Sequence, residues 1–292
     1  MKSKLRMRIS SIFIAVIMLI NLLPTTAFAI EPDWSGYTAI SSEADLKNIE
    51  NDMGGKYYLT QNITLSAVWE PLGLGSEGKY IDQPFSGIAF TGVLDGNGHQ
   101  ISGLNTGNLD TYAGVGLFAK NAGTICNLTL SDAYVYGRYW VGGFAGINNG
   151  KIENCHLIDS TIAGREGTSA SDYNYVGGSQ IGGFSGWNQQ NGTISMCSVK
   201  QSGVFGNRYV GGAVGVNNGT IEQTFIRDCA DVGNNVWIGS RYYKNNTVAS
   251  LALLMHCNHL YYIGSSENVP YMYTGGLVGS NQNNNGTGIV KN

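Results

Sequence analysis

The chain has 292 residues, with 17 basic and 20 acidic side chains, a formal charge of −3, 42 glycines and only five prolines. The acidic balance argues against a broad nucleic-acid footprint, and the glycines lack the every-third period of collagen. Abundant glycine and asparagine with few charges suit many short strands joined by tight turns, because both residues tolerate left-handed backbone angles.

Residues 1–29 read as an export signal. Lys2, Lys4, Arg6 and Arg8 precede an apolar run from Ile9 to Leu23, and Ala27-Phe28-Ala29 forms a small-residue cleavage site. Cleavage after Ala29 is the expectation; an uncleaved membrane anchor is the alternative, for which the apolar run is short. Cleavage would leave a chain with 13 basic and 20 acidic residues, near −7, and no later stretch long enough to span a bilayer. A secreted or cell-surface location follows, without an integral membrane segment.

Residues 30–110 are expected to hold an N-terminal cap and the first coils. Ser41 or Ser42 caps a short helix through Leu46 and Ile49. Tyr57-Tyr58-Leu59-Thr60 and Ile63-Thr64-Leu65 read as strands, and Trp69-Glu70-Pro71-Leu72-Gly73 as an ordered turn. Asp95-Gly96-Asn97-Gly98 reads as a structural tight corner: Asp95 and Asn97 order it, and Gly96 and Gly98 supply its angles.

Residues 111–292 repeat. Val141-Gly142-Gly143-Phe144-Ala145-Gly146 matches Ile181-Gly182-Gly183-Phe184-Ser185-Gly186 and Val210-Gly211-Gly212-Ala213-Val214-Gly215, with weaker copies at Val115 and Thr274. An asparagine follows each: Asn121, Asn148, Asn188, Asn217 and Asn281. Ile125 to Ile152 spans 27 residues, Ile152 to Ile194 spans 42, and Ile194 to Ile221 spans 27. Counting 27 further reaches Val248, and 41 more reaches Ile289. The long steps read as one coil plus an insertion, near 165–180 and near 255–272. Residues twelve past each isoleucine are Gly137, Gly164, Gly206 and Gly233. Small or aliphatic residues recurring at one angular position are what an all-β parallel solenoid needs, since each coil buries its apolar face only against its neighbours.

Within that register the asparagines Asn148, Asn188 and Asn217 are expected to bond to backbone in successive turns. Cys155 and Cys197 share a column three residues past the isoleucines. Both read as small buried hydrophobes, with a disulfide between coils as the alternative. The four histidines form no convincing ligand set, so no metal and no cofactor is expected.

The spaced motifs resemble the bacterial extracellular proteins that carry GLUG repeats. Gly116-Leu117-Phe118-Ala119, Gly143-Phe144-Ala145-Gly146, Gly183-Phe184-Ser185-Gly186, Gly212-Ala213-Val214-Gly215 and Gly276-Leu277-Val278-Gly279 match the repeat signature, and Leu46 to Leu104 matches the family's lead-in. The resemblance implies a right-handed parallel β-helix in exported proteins, including adhesin-like proteins and immunoglobulin A peptidases in which the repeats are accessory. It implies no peptidase activity, since the chain has no His-Glu-x-x-His motif.

Function is therefore sought on the outer faces. Trp140, Tyr209, Trp237 and Tyr273 each precede a step that resembles Val/Ile-Gly, and are expected to form an outward aromatic stripe beside Arg138 and Arg208. Such a stripe suits a non-catalytic binding or adhesion scaffold. Its partner would be a host or cell-wall glycan or another surface protein. Shielding of corners is the competing reading of these aromatics. The alternatives to a binding scaffold are a glycan-active lyase or hydrolase, with Glu153 and Glu222 as the carboxylate pair, and a purely structural part of a surface assembly.

Overall fold

Parallel pairing at the spacing of the repeats organises the chain. The computed structural model describes residues 32–75, 87–107, 109–164, 179–206, 209–227, 236–244, 247–256, 259–263, 273–275, 277–280 and 289–291. The signal at 1–29, Arg208, Cys229, Cys257 and nearly all of the 165–180 insertion lie outside them. The chain divides into Met1–Ser35 and Gly36–Asn292. In the first unit the Ser35 amide donates to the Asp33 carboxylate at 2.9 Å.

In the second unit the chain runs in repeated circuits through four sheets. One circuit starts at strand Phe118–Asn121 and continues through Thr124–Cys126, Thr129–Ser131 and the long strand Tyr134–Gly142 to Ala145–Asn148. Each strand lies parallel to its counterpart in the next circuit. Ile125 pairs with Ile152, Ile152 with Ile194 and Ile194 with Ile221. Leu130, Leu157, Val199 and Ile226 align in the same way. Ile125, Ile152, Ile194 and Ile221 are buried with Leu130, Leu157 and Val199 in one continuous core that includes Phe118, Phe144 and Phe184. The chain is thus all-β with parallel sheets.

The glycines of the repeat answer a steric demand. A Cβ on Gly143 would lie 2.7 Å from the Gly183 carbonyl, and one on Gly182 would lie 2.6 Å from Val214 Cα. Circuits at strand spacing leave no room there for a side chain. The corners use left-handed backbone instead. Asn127, Asn154, Met196 and Gln223 occupy one column with φ of 53, 49, 55 and 46°, a conformation asparagine tolerates better than methionine or glutamine.

The N-terminal segment joins the same stack. Strand Thr38–Ile40 pairs with Lys56–Leu59, which pairs with Val93–Asp95, and that with Thr124–Cys126. Ser42 caps helix Glu43–Lys47, its hydroxyl accepting from the Asp45 amide. Leu46 and Ile49 are buried in the common core. Asp95 accepts from the Asn97 amide at 2.7 Å, while Asn97 holds φ 51°. Gly96 shows the limit on space at this corner: a Cβ would lie 2.4 Å from the Asn127 carbonyl. Gly98 has φ +76° with open space.

Beyond Arg227 the register expected from counting fails. Val248 is no coil position: it pairs with Tyr243 in an antiparallel ladder between Val236–Lys244 and Thr247–His256. His259–Ile263 adds a third antiparallel strand, so chain reversal begins well before the expected 255–272 insertion. Gly206 pairs with Ser240, and Gly233 lies outside the described residues. The parallel stack resumes with Tyr273–Gly275, Val278–Ser280 and Ile289–Lys291, and Ile221 meets Val290, one residue past the expected Ile289. Antiparallel strands need only a two-residue connection, which a fixed coil period does not anticipate.

Candidate contact surface

The long strand Tyr134–Gly142 carries the site because it bends midway. Its first half pairs with Thr161–Gly164 and its second with Ser179–Gly182. Trp140 stands in the second half with φ 50°, and Gln180, its neighbour one circuit on, has φ 68°. Left-handed backbone is rare for so bulky a side chain and costs on the order of 1–3 kcal/mol. The bend brings backbones together: a Cβ on Gly186 would lie 2.4 Å from Trp140 Cα and from the Gln180 carbonyl.

Val141, Ile181 and Val210 point inward and are fully buried. Trp140, Gln180 and Tyr209 precede them and are half-buried. Register places Tyr209 beside Tyr273, so Trp140, Gln180, Tyr209 and Tyr273 follow one another across four circuits. Trp237 is not in this row. It pairs with Gly203, in the other half of the same sheet, because the Ile238-Gly239 step only imitates the repeat. Arg138 lies with its guanidinium 5.7 Å from the Tyr139 ring centre.

Trp187, absent from the expected stripe, completes the cluster. It stands in the row Lys120, Ile147, Trp187, Val216. Its ring stacks on Trp140 with centroids 5.9 Å apart and planes at 29°, while the Tyr139 ring lies 6.5 Å from Trp140 with planes at 49°. Trp187 Nε1 donates to Asn218 Oδ1 at 2.6 Å, which fixes the indole plane. An outward tryptophan just past Gly186 was the available sequence signal.

Beneath this surface the asparagines form a ladder. Asn121 donates to Asn148, Asn148 to Asn188 and Asn188 to Asn217, each at 2.8 Å. All four are fully buried. Their oxygens also accept from Gly123, Gly150 and Gly219 amides. Cys155 and Cys197 are buried free thiols, donating to the carbonyls of Glu153 and Ser195. Burial pushes the Cys155 thiol well up, and burial followed by the Asp95 charge pushes Cys126 up to about 12. Neither has the character of a reactive thiolate.

Arg138 is a charged group beside the aromatics, whereas Glu153 and Glu222 stand in a different sheet. Glu153 is paired with Lys151 at 2.7 Å, and Ser195 stands between Glu153 and Glu222 in the ladder. His156 Nδ1 lies 2.9 Å from the Ser198 hydroxyl, and desolvation, then Lys200, lowers its pKa. Among the described residues no group of His, Cys, Asp or Glu could hold a metal ion, and no helix is long and apolar enough to cross a membrane.

Fold and surface together define a class: an all-β protein of stacked parallel circuits with an outward aromatic cluster. No family model matches the chain, so the GLUG resemblance rests on the motifs themselves. Over 132 residues, 44% of its length, the chain is 37% identical to halomucin of Haloquadratum walsbyi (strain DSM 16790 / HBSQ001). Over 182 residues, 58% of its length, it is 29% identical to an immunoglobulin A1 protease of Streptococcus sanguinis. The aligned parts span 1% and 8% of those proteins. A crystal structure from Bacteroides ovatus, provisionally named an immunoglobulin A1 protease, superposes with a TM-score of 0.51. It covers 71% of this chain and 59% of that one at 17% identity, a likeness of fold alone.

Proposed function

We propose that the chain is a non-catalytic binding scaffold of the extracellular space or cell surface, built as a right-handed parallel β-helix of GLUG-type repeats. Residues 1–29 are its export signal, 30–110 the cap and first coils, and 111–292 the repeats with their insertions. The observation that carries the binding reading is the outward pair Trp140 and Trp187, stacked across adjacent circuits. The partial likeness to halomucin and to immunoglobulin A1 protease supports a region that recurs inside much longer proteins. The cleft chemistry of a glycosidase would need two carboxylates facing a sugar. The Lys151 pairing of Glu153 speaks against that pair.

The test is made in a bacterial host that exports the tagged full chain. The expected result is a mature protein beginning at Ile30 that is lost on protease treatment of intact cells. Retention inside the cell with Met1 in place would overturn the extracellular reading. Strong acrylamide quenching of the Trp140 and Trp187 emission is expected, assigned by difference from Trp140→Phe and Trp187→Phe. Shielded indoles would overturn the contact surface.

A further inference from the structure

We propose that Trp140 and Trp187 are a stacking platform for an uncharged sugar chain, an assignment that rests on the contact-surface reading above. A pyranose ring has a face of C–H groups and a rim of hydroxyls. It is held by an aromatic face bordered by groups that both donate and accept hydrogen bonds. The surface has that composition. The two indoles stack on one another with ring centres 5.9 Å apart and planes inclined by 29°, and the Tyr139 ring, with the Arg138 guanidinium 5.7 Å from its centre, lies 6.5 Å from Trp140.

Residues with side-chain amides neighbour both tryptophans. Gln180 follows Trp140 in its own row. Asn149, Gln189 and Asn218 follow one another at one corner, each backbone amide donating to the backbone carbonyl of the buried asparagine of the preceding circuit: Asn121, Asn148 and Asn188. A protein hot spot would instead centre on a closely packed pocket with an apolar core. Here glycines 146 and 186 lie tight against the Trp140 backbone.

The platform is also preorganised. Trp187 is fixed by its bond to Asn218, and Trp140 by a left-handed backbone that its surroundings impose. Strained backbone in a bulky residue marks places where a side chain is held for use. Rings already immobilised lose little further entropy when a ligand stacks on them.

The purified chain is titrated with cellohexaose, laminarihexaose and chitohexaose, and with polygalacturonate as the charged comparison, following indole fluorescence. Saturable binding of at least one neutral hexasaccharide is expected. Trp140→Ala or Trp187→Ala should weaken it about tenfold or more, and Trp187→Tyr should keep it within about threefold, since a stacking face remains. Circular dichroism confirms that each variant folds. No binding of any neutral hexasaccharide, or salt-sensitive binding of polygalacturonate alone, would overturn the sugar assignment. If acrylamide still reaches both indoles in that case, the contact surface stands and only its ligand class falls; if it does not, both fall.

Discussion

Asn148 donates its side-chain amide to the amide oxygen of Asn188 at 2.8 Å, and both side chains are completely buried. The bond is one rung of a ladder that links four circuits, so Asn148 and Asn188 each donate to one neighbour and accept from another. Removing a member strands polar atoms on both sides. Asn148→Ala leaves Asn121 Nδ2, Asn188 Oδ1 and the Gly150 amide without that partner, at about 1–3 kcal/mol for each orphaned group. Asn148→Asp replaces the donor by an acceptor and buries a carboxylate, and is expected to cost more, about 3–5 kcal/mol. Urea denaturation compares the midpoints. An unchanged midpoint in Asn148→Asp would show that the ladder contributes nothing.

Two glycines separate close packing from backbone angle. A Cβ on Gly186 meets Trp140 Cα at 2.4 Å, a backbone atom that cannot step aside. Gly186→Ala is therefore expected to abolish the folded state or to dislodge the Trp140 bend. Gly98 has a positive φ but nothing within 4 Å, so Gly98→Ala should cost only about 1 kcal/mol. Thermal melts of the two variants give the order, and equal melting temperatures would contradict it.

The stack was legible because its interior allows few residue types. Ile125, Ile152, Ile194 and Ile221 must all fill one line of the core, and their spacing reveals which strands pair. The failure at Val248 has a physical origin. A 27-residue count holds only while the chain keeps its direction, whereas Lys244 pairs with Thr247 across a two-residue Asn-Asn separation, itself a hairpin signal. The site was half legible. Trp140 and Tyr209 stand where alternation puts outward residues, but Trp237 shares only its local dipeptide with them. Trp187 escaped because the repeat signature ends at Gly186, one residue before it.

Acid should loosen the N-terminal end first. The Glu43 carboxylate accepts from the Ser66 amide at 3.0 Å, the Ser66 hydroxyl at 2.9 Å and the Ala67 amide. These bonds, the Ser66 amide foremost, hold its pKa below 4.5, and the Ser41 amide and hydroxyl do the same for Asp45 below 3.8. A folded-state pKa below the unfolded one means that the folded chain binds the proton more weakly. The stabilisation is full above the unfolded values and is lost as pH falls through the folded ones. Melting temperature should drop from about pH 5 to about pH 3, in the carboxylate range, and drop less steeply in Glu43→Gln. Parallel curves for the two proteins would exclude Glu43 as the cause.

Trp140 should reveal stability and binding pulling apart. Its φ of 50° penalises any residue with a Cβ, by roughly 1–2 kcal/mol. Trp140→Ala keeps that penalty while losing the stacking on Trp187. Trp140→Gly loses the stacking but removes the penalty, and Gly114 shows that the position accepts glycine: it precedes Val115, the partner of Val141, at φ 76°. Trp140→Gly is therefore expected to be the more stable of the two variants by about 1 kcal/mol, although neither should retain the sugar platform. If the alanine variant proves as stable as the glycine variant in urea, the left-handed backbone at Trp140 is not under strain. The case for a side chain held in place at a cost to the fold would then lose its energetic support.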